Sequence, residues 1–262
     1  DFNGNSVTTT GIQTYAGPVL LGGATILTSN SDGDITFEDT VDGAASLTID
    51  TAGTTTFNAA VGGSTPLVSI TTDAAGNTII NVASITTSGA QTYGDAVSLA
   101  TDIVLTATSG GDVTFHGTVD STGGSFELQV ATLGTTTFGA AVGAAGPLSG
   151  LVTGPGLTDI NGAGITTAGT QSYSGPVAIS GNTLLTSNGT GTDGNISFSS
   201  TVDGAALGVA LGVTTAGTID FAGAIGSNVP LGSLTTNGVA GVGTTIRDGG
   251  SVVTTGAQAF NN

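Results

Sequence analysis

The phrase VTTTGIQTYAGPV at 7–19 returns as ITTSGAQTYGDAV at 85–97 and as ITTAGTQSYSGPV at 165–177, and it opens once more in VVTTGAQAF at 252–260. A repeat this regular restricts the chain to architectures made by stacking copies of one element. Tyr15, Tyr93, Tyr173 and Phe260 correspond between copies, which sets a unit of about eighty residues. Each unit has the same inner order. The QTY phrase is followed by GDITFEDTVDG at 33–43, GDVTFHGTVDS at 111–121 and GNISFSSTVDG at 194–204. A third block reads AGTTTFNAAVGG at 52–63, LGTTTFGAAVGA at 133–144 and AGTIDFAGAIGS at 216–227. The fourth runs from PLVSITT at 66–72 through NTIIN at 77–81, and matches PLSGLVT and TDING within 147–162.

Runs such as DITF, LTID and TTTF alternate apolar residues with Thr or Ser, the period-two pattern of a strand with one buried face. Helix periodicity is absent, and the chain reads as all-β. Four blocks in a unit give a sub-repeat of about twenty residues, the length of one coil of a β-solenoid. The expected fold is therefore a parallel β-helix with coils of about 20 residues and four coils per roughly 80-residue repeat. The units run approximately 3–81, 82–161 and 162–247, with 248–262 opening a further one, in a single continuous solenoid over 1–262. Equivalent residues of neighbouring coils lie ~4.8 Å apart. Tyr15, Phe37, Phe57, Tyr93, Phe115, Phe138, Tyr173, Phe198 and Phe221 are expected to stack inside the rod, with Phe37 between Tyr15 and Phe57. The pairs Asp32-Gly33, Asp42-Gly43 and Asp203-Gly204 are expected to supply positive-φ corners.

Composition narrows the function. Eighteen acids face one base, Arg247, for a formal net charge of −17, and charged residues make up 7% of the chain, against roughly 25% in an average soluble domain. Such a surface repels nucleic acid and anionic membranes. There are 46 Gly, which with the net charge points toward disorder. The positive mean hydropathy of +0.35 and the spaced Val, Ile, Leu and Phe oppose it. Absent Cys rules out disulfides, and absent Lys rules out Lys–Asn isopeptide cross-links. The long uncharged stretches are filled with Gly, Thr, Ser and Asn, so none reads as a membrane-spanning helix. A transmembrane barrel would need aromatic girdles, and three Tyr, nine Phe and no Trp do not make them.

Catalytic material is sparse. His116 is the only histidine, at a position held by Glu38 and Ser199 in the other copies, which marks an outward surface site rather than a general base. The densest acidic stretch is SDGDITFEDTVD, with Asp32, Asp34, Glu38, Asp39 and Asp42. Carboxylate pairs in a groove serve polysaccharide cleavage in some β-helix enzymes, but the basic and aromatic side chains that grip sugar are nearly absent. No cofactor is expected; a calcium ion at stacked corners would use Asp32 and Asp34, although the GGxGxDxUx pattern of calcium-loaded coils is missing. The runs TTT at 8–10, 54–56 and 135–137 evoke an ice-binding threonine face, which segments such as LSGLVTGPG interrupt. Asn188-Gly-Thr and Asn195-Ile-Ser match the N-glycosylation pattern, as chance allows in a Thr-rich chain.

Across essentially all 262 residues, ITTSGAQTYGDAV followed by VTFHGTVDS and GTTTFGAAVG resembles the repeat region of large secreted bacterial β-strand-repeat surface proteins, the filamentous-haemagglutinin-like adhesins. The resemblance implies a right-handed parallel β-helix exported by a Gram-negative bacterium to serve as a stalk or fibre outside the cell or on its surface. Asp1 in place of Met, with no signal peptide, fits a processed product or a piece of something longer. The first and last segments carry no polar cap, so open β-edges are expected to stack end to end on copies of the chain or on the rest of a longer array. The expected function is structural and non-enzymatic: a segment or subunit of an extracellular fibre or adhesin stalk, with surface glycans as a further candidate partner. The alternatives are a carbohydrate-binding or carbohydrate-cleaving β-helix and a calcium-stabilised surface-layer or matrix protein.

Overall fold

In a computed structural model the chain is a β-solenoid; residues 1–162, 164–239 and 242–261 are described. Among the described residues every ladder between strands is parallel, the one antiparallel contact being the isolated bridge Val239–Val242, and about twelve coils of about 22 residues stack on one another. Three faces wind around the rod. The first begins at Ser6–Thr9, Thr25–Ser29 and Ser46–Thr51; the second at Gln13–Tyr15, Ile35–Phe37 and Thr54–Phe57; the third at Phe2–Asn3, Val19–Gly23 and Val41–Asp42. Single-residue bridges carry each face onward. Val61 joins Val41 to Ile85 on the third, Val142 joins Val119 to Ile165 on the second, and Ile225 joins Val202 to Val252 on the first.

Alternation of apolar and hydroxyl residues produces this directly. In Ile35–Phe37 and Val113–Phe115 the outer residues point in and the central Thr points out. Stacking coils at the inter-strand spacing lets backbone N–H and C=O groups pair with the coils above and below. The interior is a continuous core of Val, Ile, Leu and Phe along the length of the rod. Twelve coils at ~4.8 Å make a rod roughly 60 Å long.

Coils two residues longer than expected change the arithmetic of the repeat. One unit comprises ten strands and one bridge position, from Gln13–Tyr15 through Ser84–Thr87 with Val61 between. Eleven positions on three faces make three coils and two strands rather than four coils. Equivalent residues therefore move by one face from unit to unit. The nine aromatic residues form three separate stacks on three faces instead of one column. Tyr15, Phe37 and Phe57 lie on the second face, with centroids 5.1 and 5.2 Å apart. Tyr93, Phe115 and Phe138 lie on the first, at 5.2 and 5.5 Å. Tyr173, Phe198 and Phe221 lie on the third, at 5.0 and 4.8 Å. Between stacks the columns continue with aliphatic side chains, Ile80 and Leu99 beyond Phe57 and Ile160 and Ile179 beyond Phe138. All nine rings are buried except Tyr15, which is partly covered and meets Phe2 edge-on.

The Asp-Gly corners differ from expectation in detail. Gly43 has φ +130°, but at the first pair Asp32 itself takes the left-handed conformation, with φ +57°. Gly204 lies in the strand Val202–Gly204. Gly33 is required for another reason: a Cβ there would sit 2.3 Å from the backbone carbonyl carbon of Gly11 in the preceding coil.

Candidate functional site

The polar residues that recur in every unit form corners of the rod. In the QTY corner Gln91 is wholly buried, and its Nε2 donates to the backbone carbonyl of Thr106 in the next coil at 3.0 Å and to Thr87 Oγ1 at 3.3 Å. Its Oε1 accepts the Tyr93 hydroxyl at 3.0 Å. Thr87 Oγ1 in turn donates to the Gly89 carbonyl at 2.7 Å and closes the turn. Gln171 repeats the set with Thr186, Thr167 and Tyr173, and Gln13 with Thr28, Thr9 and Tyr15. A buried amide has four hydrogen-bonding sites to fill, and a ladder carbonyl one coil away has a second lone pair to offer. The network binds successive coils at the point where the chain changes face. Burial pushes the Tyr93 hydroxyl far above the usual phenol range, with Asp95 adding to the rise, and it pushes Tyr173 up likewise. Both rings therefore remain neutral donors.

The recurrent acids have a second task. Asp42 Oδ1 accepts backbone N–H bonds from Ser64 and Thr65 at 2.8 and 3.0 Å, holding the short loop 62–66 of the next coil. Asp120 does the same for Ala145 and Gly146, and Asp203 for Asn228. Asp34 accepts from Thr54 N–H at 2.8 Å and Asp112 from Thr135 N–H at 2.7 Å. At the corresponding place in the third unit Asn195 Oδ1 accepts from Thr218 N–H at 2.9 Å. That a neutral amide fills this role shows the position calls for an acceptor rather than a charge. Asn195, the second glycosylation-pattern residue, thereby has its Oδ1 engaged, whereas Asn188 lies exposed in the strand Thr183–Thr190.

The acidic run of the first unit does not gather. Asp32 and Asp34 sit at the corner between first and second faces, Glu38 and Asp39 at the next corner, and Asp42 on the third face. Glu38 accepts from Asn58 Nδ2 at 2.9 Å, and Asn58 accepts from Asn81, making a short amide ladder along the rod. Among the described residues, no three His, Cys, Asp or Glu side chains are placed to share a metal ion. His116 is exposed. An open groove on the third face, lined by Thr106, Gln129, Ala131, Leu133, Pro155 and Ser174, contains no acid, base or aromatic ring. Outward threonines Thr48, Thr71, Thr92, Thr114 and Thr137 form a single row on the first face, without the parallel second row of an ice-binding surface.

One carboxylate departs from the pattern. Asp95 stands where the other units have Gly17 and Gly175, and it is buried. Its carboxylate accepts from the Thr72 hydroxyl at 2.8 Å and the Thr78 hydroxyl at 2.9 Å. Burial raises its pKa above the ordinary carboxylate value despite these bonds, and nearby Asp73 contributes to the rise.

Sequence reasoning treated Tyr15, Tyr93 and Tyr173 as packing and missed the glutamine two residues earlier. The signal was present: a Gln at that offset, with a Thr four residues before it, stands in all four copies, Gln258 included. Comparison with protein families, with curated proteins and with solved structures finds no match.

Proposed function

We propose that the chain is a structural rod, a segment or subunit of an extracellular bacterial fibre or adhesin stalk. The observation behind this reading is where the recurrent polar side chains are spent. Gln91, Gln171, Asp42, Asp120, Asp203, Asp34 and Asp112 each bind backbone of a neighbouring coil, and no set of them converges on a common point. A protein selected for stiffness uses its polar groups in this way. The ladder, the aromatic stacks and the corner networks together resist bending and proteolysis without disulfides or isopeptide links. No buried side-chain nitrogen or oxygen among the described residues lacks a partner. The terminal coils carry strands laddered on one side, Gln13–Tyr15 at one end and Gln258–Asn261 at the other. They can accept a further coil from the same chain or from another copy. Export to the surface of a Gram-negative cell belongs to the same reading and rests on the resemblance of the repeats to filamentous-haemagglutinin-like adhesins.

Cryo-electron microscopy of the purified protein at low and high concentration tests this. The expected images are stiff rods or filaments with a ~4.8 Å layer spacing along the axis. Cleavage of a soluble polysaccharide by the purified chain would overturn the structural reading.

A further inference from the structure

We infer that the repeat is an angular indexing element: each unit added to or removed from the rod turns everything beyond it by one face. The inference rests on the rod reading for its use, but its geometry stands on strand register alone. From the strand of Tyr15 to that of Tyr93 the chain advances eleven positions, ten strands counting Tyr15's own and one bridge, and the same count separates Tyr93 from Tyr173. Eleven positions leave a remainder of two on a three-faced rod. The three-ring stack accordingly appears on the second face, then the first, then the third. Phe260, which opens the fourth unit, pairs with Thr236 back on the second face. Surface features obey the same rule. The loops 62–66, 143–147 and 226–230 follow Val61, Val142 and Ile225, which lie on the third, second and first faces. They emerge at three different corners, one turned from the next by a third of a revolution.

An integral four-coil unit would display each loop along one side only. This unit points them in every direction, and three units restore the original azimuth. Unit number then sets the direction in which any element beyond the rod faces, in steps of about 120°, while each unit changes the length by about 18 Å at ~4.8 Å per coil. A stalk that gains or loses one unit reorients its distal end; one that gains or loses three keeps it.

The test deletes residues 94–173, so that Tyr93 is followed directly by Ser174 in an equivalent sequence context. In the full chain Ala178 lies on the first face, opposite Asp159, and Ile79 lies on the second, opposite Ser98. In the shortened chain Ala178 should take the place of Ser98 and face Ile79. Chains carrying Ile79→Cys and Ala178→Cys have no other cysteine, and directly opposed residues on adjacent parallel strands lie within disulfide reach. On oxidation the deletion variant should form an internal disulfide, read by non-reducing electrophoresis and intact mass. The full-length double variant should not. Two outcomes would overturn the inference: a folded deletion variant that fails to cross-link, or loss of the β circular-dichroism signal on deletion, since interchangeable units must join. Filament formation plays no part in this readout, so the indexing inference and the fibre reading fail independently.

Discussion

Gln91 and Gln171 have no access to water, so each hydrogen bond they make replaces one that no solvent molecule could supply. Gln91→Leu keeps the volume and strands the Tyr93 hydroxyl. Leaving buried groups unsatisfied costs about 1–3 kcal/mol each, and chemical denaturation should show a loss in that range. Asp95→Asn acts in the opposite direction. A carboxyl whose folded pKa lies above its unfolded value of about 3.9 is destabilising once pH exceeds that value, because folding then requires a buried charge. The variant should melt above wild type at pH 7, with the difference shrinking as pH falls toward 4. Thermal melts at both pH values measure it. The repeated Gln was visible in the amino-acid order, but its burial was not. Gln is usually exposed, and only closure of the corner over it removes water.

At the scale of a strand or corner, prediction from pattern was strongest where side chains alternate. Ile35–Phe37 and Val113–Phe115 are short, yet each is preceded by a Gly-Asp pair and repeats elsewhere. Truncating the middle ring of a stack removes contacts on both sides, so Phe37→Ala or Phe115→Ala should cost ~3–5 kcal/mol in denaturation. Phe115 lies between rings at 5.2 and 5.5 Å. The sequence offers Asp32 and Asp34 as calcium ligands, whereas the geometry has the recurrent acids Asp34, Asp42, Asp112, Asp120 and Asp203 accepting backbone N–H bonds. Asp42→Asn keeps an acceptor for Ser64 and Thr65 N–H and should leave the melting temperature nearly unchanged; Asp42→Ala should lower it, by about 1 kcal/mol in stability. A chelator should shift neither variant nor the wild type. These bonds reach some twenty residues ahead to the next coil, and no local pattern encodes a partner at that distance.

Over the whole molecule, the net charge of −17 is spread along a rod with a single base, Arg247, which lies over the Phe260 ring at 4.9 Å. Self-repulsion opposes the compact state and is screened within ~10 Å at 0.1 M salt. Raising sodium chloride from low to physiological strength should therefore raise the melting temperature. The β class, the stacking of coils and the identity of the inward rings were determined by the sequence alone, because period-two alternation and an eighty-residue repeat leave no other way to bury those side chains. The division of a unit into eleven positions, the rotation of its features around three faces and the meeting of each acid with the next coil were decided only in the tertiary structure. Coil length depends on how much chain each corner takes up. Two residues per coil, too few to read from a repeating pattern, separate a rod whose units align from one whose units turn.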